Sequence, residues 1–284
     1  MVDAALVLEG GSLRGLYTSG VLDYFIEKNI EFSCVIGVSA GSLTGANYIS
    51  KQKYRSAKIN ILHSNSNKYF GIYQLLTKGN AFNFDYLFNS PINNIYPYDI
   101  NATLTSKQRF LICATDCIAG SPVYFEDKSN YEMMTNYLRA SSSIPLLAKM
   151  ININGTAYLD GGICEPIGIR KALQEKYKKI VVILTRDINY KKSKNSFIQS
   201  VIKVKYKKYP NLLDSLEKMN STYNDLKETV DILEKKGDIF VIRPQKEVCI
   251  RRMEKRTRKL VELYFQGLED AETNFKRMLE YLNS

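Results

Sequence analysis

Histidine is nearly absent. The chain of 284 residues has one, His63, beside 40 lysines and arginines and 29 aspartates and glutamates. Cysteine offers little in its place. Cys34, Cys113, Cys117, Cys164 and Cys249 are scattered, and no pair has C-x-x-C spacing. A zinc centre is therefore not expected, nor any other cofactor. The odd cysteine count reads as reduced thiols acting as small hydrophobes. No apolar run approaches the ~20 residues that span a bilayer. The opening MVDAALVLEGG has no basic stretch and no small-residue cleavage site, so no signal peptide is expected. These absences point to the cytoplasm, with a peripheral hold on membranes left open. Nucleic-acid-binding signatures are missing as well, so no nucleic-acid partner is expected. The formal net charge of +11 is mostly lysine, densest at 191–208 and 246–259. Such an excess favours anionic surfaces. Oligomeric state is not legible.

What is present is a core. Hydrophobic residues make up 45% of the chain, ample for one large domain. Buried strands are expected at AALVL (4–8), FSCVIGVS (32–39), RFLICATDC (109–117) and KIVVILT (179–185), with a hairpin-like continuation at SPVYFED. Helical spacing marks 16–28, the segment after Ser42, and 131–145 up to Pro145. Residues 51–104 read as a structured excursion with short helices. The alternation predicts an α/β fold: a mostly parallel central sheet with helices on both faces. This α/β part is expected at 5–185. A mainly helical extension, 186–284, should carry one strand at 238–244 and pack on the same core, with a long amphipathic helix over 247–282. Inside that helix, ELYFQG (262–267) resembles a protease-cleavage scar, but helical periodicity continues through it.

Three short stretches carry chemistry. In GVSAG (37–41) a serine sits between glycines just where a strand should end and a helix begin. Gly37 and Gly41 permit a tight turn that lifts the Ser39 hydroxyl above the sheet edge, as in a nucleophile elbow. The Ala40 N–H then opens a helix and faces the place where an oxyanion would form. In LEGGSLRG (8–15) the loop after the first strand can turn the N–H groups of Gly10, Gly11, Ser12 and Leu13 outward. Its spacing fails as a dinucleotide fingerprint and fits an oxyanion loop one βα unit before the elbow. In LDGG (159–162) Asp160 ends a short strand. A serine nucleophile needs a base. His63 is the only imidazole, at the expected end of a helix, and its order after the serine departs from the hydrolase pattern. Asp160 is the other choice.

With these residues the chain resembles the patatin-like phospholipases. The family's glycine-rich loop, G-x-S-x-G elbow and D-G-[GA] motif stand here as GGSLRG (10–15), GVSAG (37–41) and DGG (160–162), in the family's order. RASSSIPLLA (139–148) is similar to the family's segment before the acid, and the likeness covers about residues 5–170. Ser12 stands where the family usually has a third glycine. The resemblance implies a three-layer patatin-like sandwich. It also implies a serine acyl hydrolase of phospholipase A or lysophospholipase type, with a Ser39–Asp160 dyad and no histidine or metal. The oxyanion would rest on Gly10, Gly11, Ser12, Leu13 and Ala40. Arg14 would bind a lipid phosphate or brace its loop.

Two rivals remain at this level. One is a soluble carboxylesterase or thioesterase. The other is a catalytically silent protein that docks on anionic membranes through its lysines. FIQSVIKVKYKKY (197–209) interleaves Phe197, Ile198, Val201, Ile202 and Val204 with lysines. It reads as an interfacial helix, an active-site cover, or a packed helix with a solvated basic face.

Overall fold

The computed structural model describes residues 1–88, 92–193, 196–251 and 254–284, with side chains at all of these except Ile72, Ile92 and 196–199. Lys194, within the lysine-rich stretch 191–208, and the side chains of Phe197 and Ile198, named above, lie outside the described residues.

The first βα units follow the sequence pattern. β1 (Val2–Leu8) leads to α1 (Gly15–Glu27), and β2 (Phe32–Val38) to α2 (Ala40–Ile49). The excursion is a run of short helices: α3 (Arg55–Leu62), α4 (Ile72–Lys78), α5 (Phe84–Phe88), α6 (Ile92–Ile95) and α7 (Ile100–Thr105). Then come β3 (Arg109–Asp116), β4 (Ser121–Phe125), α8 (Tyr131–Ser141), β5 (Ile151–Ile153), β6 (Thr156–Asp160), α9 (Ile169–Gln174) and β7 (Ile180–Ile183). The chain closes with α10 (Ser196–Lys205), α11 (Pro210–Lys236), β8 (Phe240–Ile242) and α12 (Thr257–Asn283).

The sheet runs β5-β6-β3-β2-β1-β7-β8, with β4 also paired to β3. The strands from β3 through β2, β1 and β7 to β8 pair in parallel. β4, β5 and β6 join antiparallel. Alternation along the strands divides the core between two faces. Leu6, Leu8 and Val35 pack with residues of α1 and α12, including Tyr17 and Tyr264. Ala5, Val7 and Ile36 pack with Ile169 of α9 and with Leu226 and Val230 of α11. The result is a three-layer sandwich.

β8 completes one end of this sheet, beside β7. It is shorter than the expected 238–244 strand. α12 crosses α1 with backbones nearly touching. A Cβ on Gly267 would run into the Tyr17 carbonyl, and one on Gly20 into Tyr264 and Leu268. ELYFQG is thus a packed turn of helix. The long helix begins at Thr257, ten residues later than expected from 247. Before it, Val248 and Ile250 are buried while Glu247, Cys249 and Arg251 are exposed. That alternation is the two-residue period of extended chain, and the Val248 carbonyl accepts from Arg186 Nη1 at 2.8 Å.

Candidate active site

The turn between β2 and α2 positions Ser39. A Cβ on Gly37 would sit 2.6 Å from Ser42 Cα, so a bare backbone is needed for α2 to fold back onto the strand. Ser39 has φ 54° and ψ −120°, a conformation that costs a non-glycine residue about 1–3 kcal/mol. The surroundings hold it there. Its carbonyl accepts from Ser42 N at 2.9 Å and Leu43 N at 3.2 Å. Its N–H donates to Ser141 Oγ at 2.9 Å, and Ser141 Oγ is bonded in turn to Ser42 Oγ at 2.9 Å.

Asp160, at the end of β6, meets it from the far side of β3. Ser39 Oγ donates to Asp160 Oδ2 at 2.6 Å. The other carboxylate oxygen accepts from Gly162 N at 2.7 Å. The Asp160 backbone is fixed on both sides: its N–H donates to the Ser143 carbonyl at 2.9 Å, and its carbonyl accepts from Thr115 Oγ1 at 2.9 Å. Ser39 and Asp160 are 7% and 6% exposed. A short, shielded bond between a hydroxyl and a carboxylate is the geometry for moving a proton off the serine.

The glycine loop lies against this pair. A Cβ on Gly10 would stand 3.2 Å from Ser39 Cβ, and one on Gly15 3.0 Å from Ala40 Cβ. Gly10 departs from expectation. Its N–H donates to the Pro166 carbonyl at 3.1 Å, so it is committed to holding the loop in place. Gly11, Ser12, Leu13 and Ala40 open two helical turns, one starting at Ser12 and one at Ala40, and such N–H groups have no partner within their own turn. Ser12 has φ 50°, the left-handed region that a glycine would occupy without cost.

Beneath the loop, Glu9 is 1% exposed. It accepts from the Thr185 N–H and from Thr185 Oγ1. Tyr223 of α11 also bonds to Glu9; burial and that carboxylate push the Tyr223 hydroxyl far above the usual tyrosine range, with Arg14 opposing. Arg14 therefore sits in a polar seam joining the loop to α11. His63 is elsewhere. It follows α3 with Nδ1 3.2 Å from Tyr86 Oη, edge-on to Tyr86 and Tyr96. Burial lowers its pKa.

Two spaces meet at Ser39. One is a narrow apolar slot of about 60 Å³, lined by Leu13, Leu16, Leu43, Tyr69, Phe84 and Leu87 among others. The second is an open cleft of about 620 Å³ that also takes in Asp160. Ser12, Ser39 and Ile144 line both. Among the described residues no group of three His, Cys, Asp or Glu could hold a metal ion, and no helix is long and apolar enough to cross a membrane.

Sequence reasoning missed Ser141, Ser143, Thr115 and the Glu9–Thr185 link. Ser141 and Ser143 lie in RASSSIPLLA, whose likeness to the family's segment before the acid was the available signal, but the serines themselves read only as the stop of a helix.

Comparison with known proteins agrees with this architecture. Residues 6–173 match the family described as patatin-like phospholipase, and the chain belongs to that family. Residues 209–283 match a second family, described as a domain of unknown function (DUF6363). The chain is 32% identical over 186 residues to "Uncharacterized protein YjjU" of Escherichia coli (strain K12), covering 64% of this chain and 51% of that protein. It thus spans about half the length of that relative. It is 26% identical over 213 residues to "Probable lipid hydrolase 463L" of Invertebrate iridescent virus 6, covering 66% of this chain and 72% of the other. The crystal structure of VipD from Legionella pneumophila shares the fold, with a TM-score of 0.50 at 11% identity over 96% of this chain and 67% of that one.

Proposed function

We propose that the protein is a serine acyl hydrolase of lipid carboxylic esters, of phospholipase A or lysophospholipase type, working through a Ser39–Asp160 dyad. The observation that carries this reading is the 2.6 Å bond from Ser39 Oγ to Asp160 Oδ2. Asp160 takes the serine proton as Oγ attacks the ester carbonyl. The N–H groups of Gly11, Ser12, Leu13 and Ala40 receive the oxyanion; one such donor is worth roughly 10²–10³ in rate. The tetrahedral adduct collapses, the alcohol leaves with the proton from Asp160, and the acyl group stays on Ser39. Water then attacks, giving its proton to Asp160, and the acid departs as Ser39 Oγ regains a proton. Residues 5–185 act as the catalytic region. The 186–284 extension completes the sheet and walls the cleft.

The test is labelling by a fluorophosphonate probe and hydrolysis of a defined panel of phospholipids and uncharged esters. Labelling and turnover lost in Ser39→Ala support the reading. An unlabelled but folded wild type leaves the silent membrane-binding alternative standing. Turnover of uncharged esters alone favours the soluble carboxylesterase.

Anionic membranes are the proposed docking partner. Ile202 of α10 and Tyr206 just after it are buried, while Val201 and Val204 are 45% and 75% exposed. α4 presents Leu76, 80% exposed. The two helices flank one segment: Leu146 N donates to Tyr206 Oη at 3.0 Å, and Ala81 N, just after α4, donates to the Leu147 carbonyl at 2.6 Å. Apolar tips on helices whose last turns carry Lys78, Lys203 and Lys205 suit an anionic interface, at roughly 1 kcal/mol per cation near the surface. Co-sedimentation with vesicles should rise with phosphatidylserine content and fall with salt. Binding indifferent to both would overturn this docking.

A further inference from the structure

We infer that the cleft beside Asp160 is a binding site for a net-anionic, phosphate-bearing head group, so that the enzyme selects substrates by the charge of the leaving alcohol. This rests on the hydrolase reading above and concerns which half of the ester lies in which space.

The argument begins with the proton. In the reaction proposed, the departing alcohol oxygen takes its proton from Asp160. Asp160 lines the 620 Å³ cleft and is not among the residues that line the 60 Å³ slot. The alcohol half must therefore leave through the cleft, and the acyl half points to the apolar slot. The size of the cleft and the lining of the slot agree with this division: the slot opens an apolar path for the first carbons of the acyl chain. The cleft is within the ~300–1,000 Å³ usual for small-molecule sites, and the slot is narrow and lined by leucine and aromatic side chains.

The cleft is strongly unbalanced in charge. Among its described lining residues are Arg14, Arg186, Lys191, Lys192 and Arg251, against the carboxylates of Glu9 and Asp160. Both carboxylates are engaged. Glu9 accepts from Thr185 and bonds Tyr223, and Asp160 accepts from Ser39 and Gly162. Two of the cations contact neutral groups that help set them in place. Arg186 donates to the Val248 carbonyl at 2.8 Å, with its guanidinium 4.0 Å from the Tyr190 ring centroid. Lys192 Nζ lies 4.2 Å from the Tyr223 ring centroid. The loop that carries them is anchored to α11: Lys192 N donates to Asn224 Oδ1 at 2.9 Å, and Asn220 Nδ2 donates to the Ser193 carbonyl at 2.9 Å.

A concave, partly apolar wall with an excess of fixed positive charge focuses the field on an anion within it. A phosphate esterified to glycerol meets this field directly. A phosphocholine brings its own cation into the same space and gives up much of the gain. Three of the cations, at 186, 191 and 192, come from the stretch between the two matched families, 6–173 and 209–283. The head-group site is thus built by the junction of the two parts.

The experiment compares three substrates with one palmitoyl chain each, held below their micelle concentrations: lysophosphatidylglycerol, lysophosphatidylcholine and monopalmitoylglycerol. The expected result is a kcat/KM for the phosphoglycerol substrate at least tenfold above that for phosphocholine, carried mainly by KM. In Lys191→Glu/Arg251→Glu that ratio should fall towards one; the ratio cancels any loss the two substrates share. Both positions are exposed, and circular dichroism checks the fold. Equal kcat/KM for the two lysophospholipids in the wild type overturns the inference, as does a ratio unmoved by charge reversal. So does hydrolysis of monopalmitoylglycerol alone. If nothing is hydrolysed, including p-nitrophenyl butyrate, the hydrolase reading itself fails. Calorimetry of lysophosphatidylglycerol and lysophosphatidylcholine binding to Ser39→Ala then judges the cleft independently: at least tenfold tighter phosphoglycerol binding upholds it, and equal affinity overturns it.

Discussion

Ser141 holds Ser39 through the backbone: the Ser39 N–H donates to Ser141 Oγ at 2.9 Å across 102 residues of chain. The bond fixes the strained residue at its N–H, where the helix holds only its carbonyl. Ser141→Ala leaves a buried N–H without that acceptor, at a cost of roughly 1–3 kcal/mol. The expected outcome is a loss of stability in that range and a fall in kcat with KM nearly unchanged, since Ser141 lines neither space beside Ser39. Denaturant titration and steady-state kinetics check both.

Ser12 supplies a second test, because its φ of 50° is imposed by the loop. A left-handed conformation costs an L residue about 1–2 kcal/mol, while glycine gives back roughly 0.4–1 kcal/mol through the unfolded chain. Ser12→Gly should therefore be neutral or stabilising by up to ~1 kcal/mol. Ser12→Val, β-branched, should destabilise by more than ~1 kcal/mol. Urea midpoints at constant m-value decide between these signs.

The motifs were legible because their chemistry is local. GVSAG and DGG each show a serine or an acid beside glycines, and a three-layer α/β sheet follows from the spacing of apolar runs around them. What joins the motifs was not legible. Nothing near Ser39 announces Ser141, and nothing near Glu9 announces Thr185. Gly10 reads as a free donor until the Pro166 carbonyl is seen beside it. Val248 and Ile250 fall inside the helix expected over 247–282, yet they alternate with exposed neighbours because the chain there runs extended beside Arg186.

Asp23 sets a pH dependence of stability. It accepts from Tyr54 N at 3.1 Å and Tyr264 Oη at 2.9 Å, yet burial outweighs these bonds and raises its pKa from 3.8 to about 6. The folded state thus holds a proton that the unfolded chain has lost, so the stabilising contribution is complete below pH 3.8 and gone above about 6. Asp23→Asn should remove a decline of order 1–3 kcal/mol across that window. Melting temperatures at pH 4, 5, 6 and 7, compared with wild type, check the slope; a wild-type stability that rises through this window because of Asp23 would reverse the sign.

The central claim is that a carboxylate alone serves Ser39 as its base. The direct measurement is kcat/KM for ester hydrolysis by Asp160→Asn, with His63→Ala measured alongside under the same conditions. The account predicts a fall of at least ~10² for Asp160→Asn, in the range seen when a positioned base is removed, and near wild-type turnover for His63→Ala. A folded His63→Ala enzyme that is inactive, or an Asp160→Asn enzyme that keeps wild-type turnover, would contradict it.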